Sequence, residues 1–284
     1  MSNSYVFIND RFVPGEEAFL PVSDLSIQRG YGLFDFFKVI NGVPLYLEDH
    51  LDRLYFSAEQ LHLPFLPKRE KLKEIINGLM ERNQMPHSGI RITLTGGTSP
   101  DGYSITVPNL VLSQSPLKLT TPETFEKGIK LITYEHQRQL PQVKSTDYVM
   151  AIWLQPLVKE KEADDVLYYH NGVVGECPRS NLFAVKDGVL ITPAANILKG
   201  VIRKQVLQLA QAILRVEERT VTLEEVKQAE EVFVTSTTKQ ILPVRQIDDV
   251  ILFTDRPGKI STELYSVLLK QQDHLLQTAT AMTQ

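Results

Sequence analysis

Two turn dipeptides constrain the second half of this chain. Between residues 165 and 193, the runs "DVLYYHNG", "VVGECPRSNLFAVKDG" and "VLITP" alternate with Asn171-Gly172 and Asp187-Gly188. Asn-Gly and Asp-Gly supply the paired positive φ angles of a two-residue hairpin turn, so the runs read as successive strands. One residue stands out in them. In "GECPRSNLF", Glu176 follows a turn glycine and precedes a proline, an arginine, an asparagine and two apolar residues. A glutamate beside a strand turn is usually a solvated rim residue, and a buried one needs a chemical reason.

The remaining patterns divide the chain of 284 residues in two. "YVFINDRFVP" alternates around a turn and reads as a short hairpin. "LEDHLDRLYFSAEQLHL" and "KREKLKEIINGLMERN" have helical apolar spacing, and "GIRITLTGG" and "NLVLSQSPL" read as strands around the loop "GGTSPDGY". These make residues 1–116 a small N-terminal α/β domain. Residues 117–128, rich in Thr, Pro and charge, are the expected linker. Residues 129–284 form the expected larger domain. It opens with the strand "IKLITYEHQRQ", followed by a helix over "YVMAIWLQPLVKEKEAD" with one interruption at Pro156. The strands above come next. Helices at "IRKQVLQLAQAIL", "LEEVKQA" and "TELYSVLLKQQDHLLQ" then frame the strand "EVFVTSTT". The fold class is therefore α+β.

Composition removes several function classes. A net charge of −4 and a pI of about 5.9 give no bulk attraction to nucleic acid or anionic membrane. The single cysteine, Cys177, allows no intrachain disulfide. The N-terminus lacks a basic, then apolar, leader, and no run of about 18 apolar residues occurs, so a cytoplasmic protein without membrane spans is expected. The six histidines are scattered without metal-ligand spacing, so no metal is expected. Phosphate-loop and serine-elbow motifs are missing.

What remains is a set of individually weak signals. Lys144, in "PQVKSTDY", falls where a strand is expected to end and a helix to begin; a buried lysine there could form a Schiff base with an aldehyde. Ser236, Thr237 and Thr238 follow an apolar strand and precede an expected helix or loop. Their hydroxyls and N–H groups suit a phosphate as well as a plain helix cap. Gly200 stands immediately before a helix whose N-terminus could face an anion.

Taken in order, "GYGLFDFFKV", "HLDRLYFSA", "IRITLTGG", "VKSTDY", "GECPRSNLFAVKDGVLITP", "ILKGVIRK" and "EVFVTSTTKQILPV" give the chain a resemblance to the class IV aminotransferases. These are the fold type IV enzymes of pyridoxal 5′-phosphate, with a small N-terminal α/β domain and a larger C-terminal domain of mixed, pseudo-barrel sheet. The resemblance implies a homodimer acting on an amino acid and a 2-oxo acid. It implies Lys144 as the Schiff-base lysine that also shuttles the proton. It implies Glu176 as the carboxylate under the pyridine nitrogen, which supplies the missing reason for burial. Arg53 resembles the arginine paired with the cofactor phosphate, where a planar guanidinium suits bidentate contact. Val201 and Ile202 would add backbone N–H groups, and Thr237 and Thr238 further donors. Leu198 resembles the apolar residue against one ring face. Tyr148 is placed where it could bond the cofactor's phenolic oxygen.

The substrate side departs from the family's patterns. D-amino-acid aminotransferases, which the wording resembles most, carry an Arg-x-His carboxylate clamp where this chain has Asp101 and Tyr103. Branched-chain enzymes have a tyrosine at the place of Arg29 and a small residue at that of Phe36. Arg29, Arg91 and Arg179 are the candidate replacements for the clamp, with Phe34 on the substrate side beside them. Together they suggest a dicarboxylate such as 2-oxoglutarate. The expected reaction is transamination of a D-amino acid, with branched-chain L-transamination and an aminodeoxychorismate-type lyase as alternatives.

Overall fold

The computed structural model describes residues 4–63, 67–117 and 119–283. It falls into two compact units. Unit 1 comprises residues 1–117, 143–147 and 275–284; unit 2 comprises 118–142 and 148–274. Lys118, within the expected linker, lies outside the described residues, and a short helix follows it at 122–127.

Unit 1 is built on an antiparallel sheet. In chain order its elements are β1 (Tyr5–Ile8), β2 (Arg11–Pro14), α1 (Leu25–Arg29), β3 (Gly32–Ile40), β4 (Val43–Pro44), α2 (Leu47–Gln60), α3 (Arg69–Asn83), β5 (Ser88–Thr95) and β6 (Leu110–Pro116). The sheet order is β2-β1-β6-β5-β3-β4. Strand periodicity divides β3 between two faces. Leu33, Phe37 and Val39 join Leu51 and Leu54 of α2 and Leu72, Ile76 and Leu79 of α3 in one core. Phe34, Phe36 and Lys38 alternate with them and therefore project from the opposite face. Phe36 sits directly across from Arg91 and beside Gly89, where a Cβ would stand 2.2 Å from its ring. Gly89 is thus a requirement of space.

Unit 2 contains α4 (Pro122–Lys127), β7 (Ile129–Glu135), α5 (Val149–Trp153), α6 (Gln155–Glu160), β8 (Asp165–His170), β9 (Val173–Val174), β10 (Asn181–Lys186) and β11 (Val189–Pro193). These are followed by α7 (Val201–Ala210), β12 (Arg215–Arg219), α8 (Leu223–Lys227), β13 (Glu231–Ser236), β14 (Gln240–Ile247), β15 (Val250–Ile251) and α9 (Lys259–Thr283), whose last residues count with unit 1. The sheet runs β12-β11-β10-β13-β14-β7-β8-β9, with β15 on β14. It is mixed: β12–β11, β14–β7 and β7–β8 pair in parallel, the rest antiparallel. The expected hairpins are present. Asn171-Gly172 and Asp187-Gly188 both have positive φ at each residue and join β8 to β9 and β10 to β11.

Three local expectations change. The helix read over 148–164 is two helices, because Pro156 lacks an N–H and sits in the first turn of α6, so α5 ends before it. The Thr237–Thr238 segment leads into neither helix nor loop but turns into the antiparallel strand β14, with Ser236 opposite Gln240. Lys144 is not at a strand end. It lies well past β7, in an irregular stretch that precedes α5. Among the described residues no helix is long and apolar enough to cross a membrane.

Candidate active site

In unit 1, Lys144 is pinned by residues distant in sequence. Its carbonyl accepts from Phe34 N–H at 2.9 Å, and its N–H donates to Ser57 Oγ at 3.3 Å. Thr146 then donates through its backbone to Gly32 at 2.9 Å, and Ser145 bridges Leu33. Residues 144–146 thus run along the start of β3. This places the Lys144 ammonium nitrogen 4.6 Å from the centroid of the Phe34 ring. The Arg91 guanidinium carbon lies 4.1 Å from the same centroid. One buried aromatic ring therefore attracts both cations through its quadrupole.

A second cluster stands on the other face of β3. Arg53 of α2 grips Asp35 in two places, Nε to Oδ2 at 2.8 Å and Nη2 to Oδ1 at 2.9 Å. His50, one helical turn earlier, contacts Asp35 Oδ1 through Nδ1 at 2.7 Å. Burial pushes the Asp35 carboxyl up, but Arg53 and His50 outweigh it and hold the group well below the usual carboxylate range. The guanidinium is fixed from behind in one orientation, as a phosphate ligand requires. Asp35 and His50 were not singled out in the sequence. The signal was there, in a carboxylate set inside the apolar run "GLFDFF".

In unit 2, Glu176 is buried, with 5% of its surface exposed. Oε1 accepts from Arg138 Nη1 at 2.8 Å; Oε2 accepts from Asn181 Nδ2 at 3.2 Å and Leu198 N–H at 3.1 Å. Three donors converge on one carboxylate. Asn181 also donates to the Leu198 carbonyl at 2.7 Å, so the residue expected on the ring face is tied to Glu176 through both its backbone groups. Arg138 carries no motif and was missed; Asn181 lay inside the quoted motif without a role. Gly200 caps α7, and a Cβ there would come within 2.2 Å of Asn181 Oδ1. The buried Val201 and Ile202 follow, in the first turn of the helix, where N–H groups lack intrahelical acceptors. Thr237 and Thr238 form the β13–β14 turn with Lys239.

These residues fit pyridoxal phosphate. In unit 1 the fixed Arg53 guanidinium suits a phosphate; within unit 2 a helix N-terminus and a hydroxyl-bearing turn each suit a phosphate, and a buried carboxylate suits a ring nitrogen. Thr235 adds to the fit. It pairs with Asn181 across the strands, so its side chain shares that sheet face, and its buried hydroxyl has no protein partner.

The substrate candidates are less alike. Arg91 joins Phe34 and Lys144. Arg29 ends α1, exposed, with Nη1 on the Gln28 carbonyl at 3.0 Å, and Arg179 is exposed in the turn after Glu176. Tyr148 is the N-cap residue of α5. Asp101 has a local task. It accepts from Ser99 Oγ, Tyr103 N–H and both donors of Ser104 at 2.6–2.9 Å, and these bonds hold its carboxyl below the usual range. Tyr103 is left 86% exposed.

The family described as amino-transferase class IV matches residues 32–247. A D-alanine aminotransferase of Bacillus licheniformis is 29% identical over 282 residues, covering 96% of this chain and 98% of that one. A putative branched-chain-amino-acid aminotransferase of Methanocaldococcus jannaschii is 30% identical over 271 residues, covering 91% and 93%. Among solved structures, the T.th. branched-chain amino acid aminotransferase with pyridoxamine 5′-phosphate superposes with a TM-score of 0.86 at 25% identity, over 95% of this chain and 94% of that one.

Two measurements test the packing described. Gly200→Ala should destabilise the fold by roughly 1–3 kcal/mol through displaced Asn181 hydrogen bonds. In an Asn181→Ala background only the N-cap preference, about 1 kcal/mol or less, should remain. Equal costs in both backgrounds, by urea unfolding, would contradict the contact. The second concerns His50, which burial holds below its ordinary 6.5 against the opposing pull of Asp35. As pH falls through 6.5, the unfolded chain takes up a proton that the folded one refuses. Stability supplied by neutral His50 is therefore complete above that pH and lost below it. Wild type should lose more unfolding free energy between pH 7.5 and pH 5.5 than His50→Gln; equal losses would show His50 titrating normally.

Proposed function

This chain belongs to the class IV aminotransferases, fold type IV enzymes that work with pyridoxal 5′-phosphate, and on that premise we propose that it transfers an amino group between a D-amino acid and 2-oxoglutarate. The observation that carries the reading is the Phe34 ring with Lys144 and Arg91 upon it. It sets an amine that can carry a proton beside a guanidinium that can hold a carboxylate, which is the minimum that amino-acid chemistry at Cα demands. The D-series is favoured by the likeness to the Bacillus licheniformis enzyme over nearly the whole chain. The branched-chain relatives keep L-transamination as the second reading.

Each residue then has a task. Arg53, oriented by Asp35, would hold the cofactor's phosphate, and the Val201 and Ile202 N–H groups, Thr237 and Thr238 would be its further donors. Leu198 would pack on a ring face and Tyr148 would bond the phenolic oxygen. Glu176, held by Arg138, Asn181 and Leu198, keeps a proton on the ring nitrogen. When bound, the cofactor supplies an electron sink for the pair left at the substrate's Cα. Lys144 Nζ would hold the cofactor's aldehyde carbon and, as a free amine, would take the Cα proton and later return one. Arg91 holds a substrate carboxylate near Lys144, and Arg29 and Arg179 serve the second. The enzyme is proposed to work in the cytoplasm as a homodimer, a state supported by the exposed apolar side chains of Phe19, Val22, Ile27, Tyr103 and Val107 on unit 1.

Kinetics of Arg29→Ala, Arg91→Ala and Arg179→Ala test the substrate assignment. Each lost charge-assisted contact is worth roughly 1.5–3 kcal/mol, so KM for 2-oxoglutarate should rise about ten- to a hundredfold. At least one variant should spare pyruvate, which lacks the second carboxylate. KM values within about twofold for all three would reduce the arginines to surface residues. D-alanine or D-glutamate should bleach the enzyme's visible cofactor band while L-leucine leaves it; the reverse would select the branched-chain reading.

A further inference from the structure

The turn that carries Thr237 and Thr238 contains a third side chain with no part in the reading above. Lys239 completes the β13–β14 turn, and its backbone N–H donates to Ser236 Oγ at 3.1 Å. Its ammonium leaves the turn and donates to Asp165 Oδ2 at 2.8 Å and Ser180 Oγ at 3.3 Å. Asp165 opens β8, and Ser180 closes the short turn that begins at Cys177, next to Glu176. Asp165 and Ser180 are both buried. Desolvating the Asp165 carboxylate and the partly buried Lys239 ammonium offsets much of their attraction, so the pair contributes little to stability.

We propose that Lys239 is a positioning residue that fixes the 237–239 turn, so that Thr237 and Thr238 meet the cofactor's phosphate. The inference rests on the assignment of those threonines to the phosphate. It concerns the phosphate end and not the ring. The Cys177–Ser180 turn closes through its own two backbone hydrogen bonds, at 2.9 and 3.3 Å, and Glu176 keeps its three donors without Lys239. The threonine turn is closed at its base by the Lys239 N–H bond to Ser236 Oγ, but Thr237 and Thr238 at its tip have a weaker hold, the Thr238 carbonyl accepting from Thr120 Oγ1 at 3.4 Å. Loss of the ammonium therefore frees the threonine turn while Glu176 stays in place.

Comparison of pyridoxal 5′-phosphate with pyridoxal, which lacks the phosphate, separates the two ends. Equilibrium binding of both is measured for wild type, Lys239→Met and the double variant Asp165→Asn/Lys239→Met. The double variant removes both charges, so no buried carboxylate is left unpaired. Both variants should lose about tenfold or more in affinity for the phosphorylated compound, the scale of displaced charge-assisted contacts. Affinity for pyridoxal should stay within about threefold. Unchanged affinity for the phosphorylated compound in the double variant, or a parallel loss for both compounds, would overturn the positioning role. A wild type that binds both compounds equally would strike the phosphate assignment itself, and this inference with it.

Discussion

A buried carboxylate has to be met by donors, and one such carboxylate organises the candidate residues of each unit. Asp35 and Glu176 are each held by a guanidinium, Arg53 and Arg138 respectively, but the pairs are used in opposite senses. On the proposed reading Arg53 is the group that meets the ligand, and Asp35 holds it bidentately in a single pose. On the same reading Glu176 is the group that meets the ligand, and Arg138 is one of three donors that hold it. Removing either supporting partner leaves a buried charge uncompensated, which is costlier than losing a surface pair. The backbone around each pair follows this demand. Gly200 is small because Asn181 must reach Glu176, and Leu198 turns its N–H toward the same carboxylate.

Features set by neighbours in sequence were legible before the structure. The Asn171-Gly172 and Asp187-Gly188 hairpins follow from local turn chemistry, and the helical stripes of α2 and α3 follow from spacing. Pro156 marked the break between α5 and α6. What could not be read locally was set by distant partners. Lys144 has no regular element of its own because Phe34, Gly32 and Ser57, far earlier in the chain, hold its stretch. The Thr237–Thr238 turn carries no glycine, and its return into β14 depends on Gln240 adopting a positive φ that sequence does not announce. Arg138 sits in a stretch without periodicity, so only the contact with Glu176 reveals it.

The same contrast applies to the substrate side. Sequence alone showed that Asp101 cannot replace an arginine in a carboxylate clamp. The structure adds what Asp101 does instead, which is to gather four donors and shape the 99–104 loop. Arg91 gains a definite setting, sharing the Phe34 ring with Lys144. Family membership explains why the residues proposed to hold the cofactor occur in the family's order along the chain, while the departures at Arg29, Phe36 and Asp101 are where preference among amino acids has to be sought.

The account depends most on Lys144 being the amine that bonds the cofactor. Protein loaded with pyridoxal 5′-phosphate, reduced with borohydride and cleaved to peptides, reports that residue directly by mass spectrometry. The phosphopyridoxyl group should appear on the peptide containing Lys144 and vanish in Lys144→Ala. Its appearance on a different lysine, or its persistence in the variant, would contradict the assignment.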